Sequence, residues 1–174
     1  QTGLDMTKLE NNPRMQAAER ERCAKDFVYF VSHYIWTVDP RIEDASKREV
    51  LFKLWPRQIE LANWILERRT KGQVGLVEKS RDVGISVMFC AYALHCWLFE
   101  RGFSASLNSY SEDKVDKLGD PSSLLEKIRS TIRKLPSWLK PKGLNEDRHL
   151  LHRRIINQEN GSVIIGEIGD QIGR

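Results

Sequence analysis

Hydrophobic positions along this chain follow two rhythms, one helical and one strand-like. From Pro13, which suits a first helical turn, the pattern predicts a helix running to about Tyr34. Its first half is charged (Glu19, Arg20, Glu21, Arg22), and its second half is aromatic (Phe27, Tyr29, Phe30, Tyr34, then Trp36). Such an arm would pack its aromatic end on the main body. Asp39-Pro40-Arg41 reads as a turn, and Ile42 to Val50 as a charged connector. Pro56 to Arg69 places Ile59, Leu61, Ala62, Ile65 and Leu66 on one helical face, and Gly72 ends it. Gln73 to Glu78 is predicted as a strand, Ser80 to Gly84 as a loop, and Ile85 to about Glu100 as a helix. That helix is apolar almost all round, so it should be buried on most sides. Phe103 to Ser109 is the next predicted strand. Strand, buried helix and strand together read as a βαβ unit and imply a parallel sheet.

Ser111 opens a further helical piece. Asp120 as N-cap and Pro121 at the first helical position predict a helix to about Lys134, stopped by Pro136. Leu150 to Asn157 and Ser162 to Ile168 are apolar runs around Glu159-Asn160-Gly161, a β-hairpin signal. The Gly-rich stretch Gly169 to Arg174 reads as if cut short. The expected organisation is an N-terminal helical arm and connector over residues 1–50, followed by an α/β domain over residues 51–174.

Composition narrows the class. Of 174 residues, 40% are apolar and five are Trp, enough for a sizeable core, which excludes a disordered or low-complexity chain. Lys plus Arg is 28 and Asp plus Glu 24, a formal charge of +4 that is compatible with nucleic acid without arguing for it. Arg129, Arg133, Lys134, Arg153 and Arg154 are basic, and a charge run is ordinarily a solvated face. Cys23, Cys90 and Cys96 are odd in number and lack CxxC spacing, which points to buried thiols in a reducing compartment. His149 and His152 are three apart, but no cysteine or carboxylate cluster joins them, so surface or core histidines are expected. No signal-peptide pattern opens the chain, and the longest apolar stretch is shorter than a membrane span. A soluble protein without a membrane partner is the expectation.

The stretch Leu76-Val77-Glu78-Lys79-Ser80-Arg81-Asp82-Val83-Gly84-Ile85-Ser86 carries the chemistry. A phosphate loop reads G-x-x-x-x-G-K-[ST] between a strand and a helix. Aligned on Gly84 and Ser86, the first Gly falls on Lys79 and the loop lysine on Ile85. The pattern fails as letters, yet the physical parts are present. Gly84 permits close backbone approach, and Ser86 offers a hydroxyl in the first helical turn. Lys79 supplies an ammonium from the opposite end, and Arg81 adds a second cation. The other reading is a solvated Lys-Ser-Arg-Asp turn. Upstream, Gln58 follows Trp55-Pro56-Arg57, where a Gln can hydrogen-bond both edges of an adenine.

In these motifs the chain resembles the N-terminal ATPase part of the large subunit of tailed-phage terminases, the motors that package viral DNA. The resemblance rests on Trp55-Pro56-Arg57-Gln58 and on Lys79-Ser80-Arg81-Asp82-Val83-Gly84-Ile85-Ser86. It also draws on the run from Lys114 to Pro121, Leu135-Pro136-Ser137-Trp138-Leu139, Asn160-Gly161-Ser162 and the terminal Gly169 to Arg174. It runs from about Cys23 onward.

What the resemblance implies is a P-loop NTPase fold of the RecA-like (ASCE) kind: a partial parallel sheet with flanking helices, an N-terminal helical arm and a C-terminal β-hairpin. The implied cofactors are ATP and Mg²⁺. Lys79 would contact the β- and γ-phosphates, Ser86 would hold Mg²⁺, and Gln58 would read adenine. Arg81 would act as an arginine finger in cis, and Ser80, Asp82, Val83, Gly84 and Ile85 would complete the loop. Lys79 and Arg81 are thus the implied catalytic residues.

The implied partners are double-stranded DNA, a small terminase subunit, a portal protein and further copies in a ring, in the cytoplasm of an infected host. No apolar strand ending in Asp-Glu follows, so the Walker B carboxylates and the nuclease domain are missing from this stretch. Little or no hydrolysis is then expected of it alone. Ile164-Ile165-Gly166-Glu167 looks superficially like a Walker B strand, but its hairpin setting points to a structural Glu167. Two rivals stand beside this reading: a non-catalytic nucleotide-binding or docking module, and a helicase-type ATPase.

Overall fold

The arm that reads as one helix folds as two. The computed structural model describes residues 9–39, 41–80 and 83–169. In it, α1 spans Pro13–Lys25 and α2 spans Phe27–Tyr34. Asp26 between them is extended, with φ −128° and ψ 97°. Its N–H still bonds to Arg22 O, while its carboxylate accepts the Tyr29 N–H at 2.8 Å. A short acidic side chain that caps the next helix is a good reason to break the first. Glu19 then ties the two pieces together. Its buried carboxylate accepts the hydroxyls of Tyr29 at 2.7 Å and Tyr34 at 2.9 Å.

The charged connector also holds regular structure. Strand β1 (Trp36–Val38) pairs antiparallel with β2 (Glu49–Leu51), with a 3₁₀ turn at Ala45–Lys47 between them. Helix α3 follows over Pro56–Thr70 as the periodicity predicts, then α4 over Ile85–Phe99. Strand β3 (Ser104–Ser109), α5 (Glu112–Val115), α6 (Leu124–Lys134) and α7 (Glu146–His149) lead to β4 (Leu150–Leu151), β5 (Arg154–Asn157) and β6 (Ser162–Ile168).

These strands form a mixed sheet in the order β3-β6-β5-β4, so the molecule is mixed α/β. The one parallel pair in it is β3 with β6, Ser104 opposite Val163 through Ser109 opposite Ile168. The hairpin around Asn160-Gly161 is present, Arg154–Asn157 against Ser162–Ile168. The run from Leu150 is not one strand, because it folds back at His152-Arg153, where Arg153 takes φ 57°.

Three expectations need correction. Gln73 to Glu78 is not a strand. No hydrogen bond within the described residues holds the N–H groups from Val74 to Ser80, and Val74 and Leu76 are 97% and 93% exposed. A strand needs a neighbour to pair with, and no described strand pairs with this segment. The βαβ unit expected through it is therefore not formed. Helix α6 begins at Leu124 and not at Pro121, because the Asp120 carboxylate accepts the Ser122 N–H at 2.8 Å and closes a turn first. Arg129 is not on a solvated face. It is fully buried and paired with Asp116 and Glu126.

Helix α4 is the centre of the core, with Met88, Leu94, Trp97 and Leu98 buried against Phe30 and Val31 of the arm and Leu125, Ile128 and Ile132 of α6. The hairpin turn caps its C-terminal end. Asn157 and Asn160 both donate to Trp97 O, at 2.8 and 3.0 Å, and the Ser162 hydroxyl donates to Glu100 O at 2.7 Å. Unsatisfied carbonyls at a helix end need such partners. Cys23, Cys90 and Cys96 are buried free thiols. No helix of the described residues is long and apolar enough to cross a membrane.

His95 joins α4 to the arm. Its Nε2 lies 2.8 Å from Cys23 O, so it carries the proton, and its ring sits edge-on to Phe27, Phe30 and Phe99. Burial holds its pKa below the ordinary imidazole value. The charges of Glu100 and Asp26 pull it up, and that of Arg69 pushes it further down. Below about pH 6.5 the unfolded chain therefore takes up a proton that the folded one refuses, and stability falls with pH down to the lowered folded value. One proton allows a slope of at most about 1.4 kcal/mol per pH unit. Thermal melts of wild type and His95→Gln between pH 7 and pH 5 should diverge, the wild type losing more. Parallel curves would remove His95 from the account.

Candidate functional site

The junction between the Lys79–Gly84 loop and α4 is built by three elements. Gly84 stands at the N-cap of α4 with φ +71°, in the left-handed region. A Cβ there would lie 3.0 Å from Phe52 Cζ and 3.1 Å from Gln58 Nε2. The residue must therefore be small as well as left-handed. Phe52, just after β2, and Gln58, in the first turn of α3, form the floor on which the loop turns.

Gln58 is buried and uses both ends of its amide. Its Oε1 accepts the Trp55 N–H at 2.8 Å, and its Nε2 donates to Val83 O at 2.9 Å. The first bond closes the start of α3 in the manner of a capping box. The second fastens the loop to it. Trp55-Pro56-Arg57-Gln58 and the loop thus meet across 25 residues of sequence.

The first intrahelical bond of α4 runs from Met88 N–H to Gly84 O at 3.0 Å. Among the described residues no side chain caps this end, and no acidic residue lies in the first turn. No described residue accepts the N–H groups of Ile85, Ser86 and Val87, and the partial positive end of a 15-residue helix lies there. Ser86 is exposed, with its hydroxyl unbonded within the described residues. Ile85 and Val83 are half-buried. Lys79 and Ser80 are exposed, and their side chains pair with no described residue. Arg81 and Asp82 lie outside the described residues. Chemically, this arrangement suits an anion at a helix end, with one hydroxyl beside it for a metal.

Among the described residues no group of three or more His, Cys, Asp or Glu could hold a metal ion. His149 Nδ1 accepts the Asn145 N–H at 2.9 Å, and His152 lies 3.9 Å from Glu112. Glu167 accepts the Ser106 hydroxyl at 2.8 Å across the parallel pair. Phe52 escaped sequence reading, although the apolar run Val50-Leu51-Phe52 marked a buried segment there. No protein-family model matches the chain, and no curated protein matches it significantly.

Proposed function

We propose that this chain is the nucleotide-binding part of a viral DNA-packaging motor of the terminase large-subunit type, with a P-loop NTPase fold. The observation that supports it best is the N-terminus of α4, which no described side chain caps, turned by a left-handed Gly84 and fastened to Gln58. The residues present fit the phosphates and metal of Mg-ATP. The N–H groups of Ile85, Ser86 and Val87 would receive phosphate oxygens, and the Ser86 hydroxyl would ligate Mg²⁺. Lys79 and Ser80, exposed and paired with no described residue, would close over the phosphates, with Asp82 and Val83 shaping the loop. Arg81 would oppose the charge that develops on the transferred group. Bound Mg-ATP would supply the phosphoryl group whose hydrolysis drives duplex DNA through the intact motor. A small terminase subunit, a portal protein and further copies of the chain would be its partners.

A second reading, a docking or nucleotide-binding module without turnover, draws on Gln58. Both ends of its amide already serve the backbone, which suits a structural staple as well as an adenine contact. The test is a calorimetric titration of Mg-ATP into this 174-residue chain and its Lys79→Ala variant. An ammonium against a phosphate is a charge-assisted contact, so affinity should fall at least about tenfold in the variant. Equal affinities would remove Lys79 from the site. The absence of any heat from the wild type, with both proteins folded, would reject nucleotide binding by this chain.

A further inference from the structure

Away from the loop, a cavity of about 580 Å³ opens between the β1–β2 pair and helices α4 and α6. That volume is in the range of small-molecule sites. Its wall is apolar: Val87, Ala91 and Leu94 come from one face of α4 and Ile128 from α6, while Trp36 stands at the mouth, 40% exposed.

The charged groups on the wall are not balanced. Glu126 is taken by Arg129 and Arg133, and Lys134 is taken by Glu49. Lys127 remains. The residue is half-buried, and its ammonium donates to Ser122 O at the surface and, at 3.4 Å, to Ser123 O. No carboxylate of the described residues pairs with it. Asp120 acts on it only through its field, and burial lowers its pKa. A cation drawn into an apolar wall without a counter-charge is costly, and an anion that follows it in recovers that cost.

We propose that this cavity binds a small organic anion with an apolar body, the body lying between Val87, Ala91, Leu94, Ile128 and Trp36 and the anionic group on Lys127. The assignment does not need the nucleotide reading: Val87, whose backbone N–H is proposed for the phosphates, gives the cavity its side chain, and no described residue from Lys79 to Ser86 lines it. A carboxylate, sulfonate or phosphate monoester head would serve equally.

The probe is 2-naphthoate, titrated calorimetrically into the 174-residue chain beside its neutral counterpart 2-naphthalenemethanol. Wild type should bind the anion about tenfold or more tightly than the alcohol, the usual worth of one charge-assisted contact. Lys127→Met should abolish that preference and leave the alcohol within about twofold. Val87→Phe, a change at a half-exposed wall position, should exclude both ligands while far-ultraviolet circular dichroism stays native.

The wild-type preference reads the charge without any variant, so a Lys127→Met chain that fails to fold leaves the inference open to refutation. Equal affinity for anion and alcohol in wild type would overturn the assignment. So would undiminished anion binding in folded Lys127→Met, naphthoate binding that survives in Val87→Phe, or the absence of binding by wild type at millimolar probe.

Discussion

Arg129→Met should be the most destabilising single substitution outside the loop junction, lowering the melting temperature by roughly 6–20 °C or preventing cooperative folding. Arg129 is fully buried in α6 and gathers three parts of the chain. Its Nε donates to Glu126 at 2.8 Å, and its Nη atoms clasp both oxygens of Asp116, just beyond α5. Nη1 also donates to Leu151 O in β4 at 3.1 Å. Asp116 in turn accepts the Arg153 N–H, which holds the left-handed turn between β4 and β5. Removing the guanidinium leaves the buried Asp116 carboxylate without its counter-charge and Glu126 with Arg133 alone, a loss of about 3–5 kcal/mol. That is a large share of a typical domain's stability of about 5–15 kcal/mol.

The cause is separable from lost packing. Asp116→Asn with Glu126→Gln, added to Arg129→Met, removes the stranded charges, so the triple variant should recover part of the loss. A single variant melting within about 2 °C of wild type would show that the network contributes little.

Sequence reading succeeded where the cause was local. The periodic apolar face of Pro56–Thr70 and the all-round apolar Ile85–Phe99 formed as helices within a residue of their expected ends. Asn160-Gly161 marked its hairpin because the turn chemistry lies in those two residues. It failed where a distant partner decides. Gln73 to Glu78 has strand-like residues, but the pairing that would make them a strand is not present. Arg129 reads like any exposed arginine until Asp116 and Leu151 are brought to it by the fold. Asp26 could have been weighed as a cap inside the arm, because it stands where the charged half gives way to the aromatic half.

At the candidate site, Gly84, Gln58 and Ser86 stand out in sequence, but the bond that joins Gln58 to Val83 O does not, because it spans 25 residues. Phe52 was legible only as an apolar residue, since it approaches Gly84 across all of α3 and the segment after it.

Gly84→Ala should damage both stability and nucleotide binding, and its two costs can be taken apart. At φ +71° a residue with a Cβ pays roughly 1–2 kcal/mol for its backbone conformation alone. The new methyl would also meet Phe52 Cζ at 3.0 Å and Gln58 Nε2 at 3.1 Å. Gln58 cannot yield without loosening its bond to Val83 O, a further loss of about 1 kcal/mol.

Gly72 provides the reference, because it stands at φ +62° with nothing within 4 Å of its Cβ position. Gly72→Ala should show the backbone cost only, with Mg-ATP affinity unchanged. Gly84→Ala should lose about 2–3 kcal/mol in urea titrations. It should also bind Mg-ATP at least about tenfold more weakly, because the N–H groups of Ile85 and Ser86 turn with the residue before them. If both variants lose the same stability, the packing of Phe52 and Gln58 on Gly84 contributes nothing. If Gly84→Ala binds Mg-ATP as well as wild type does, the phosphates are not held at the start of α4, and the loop is only a connection.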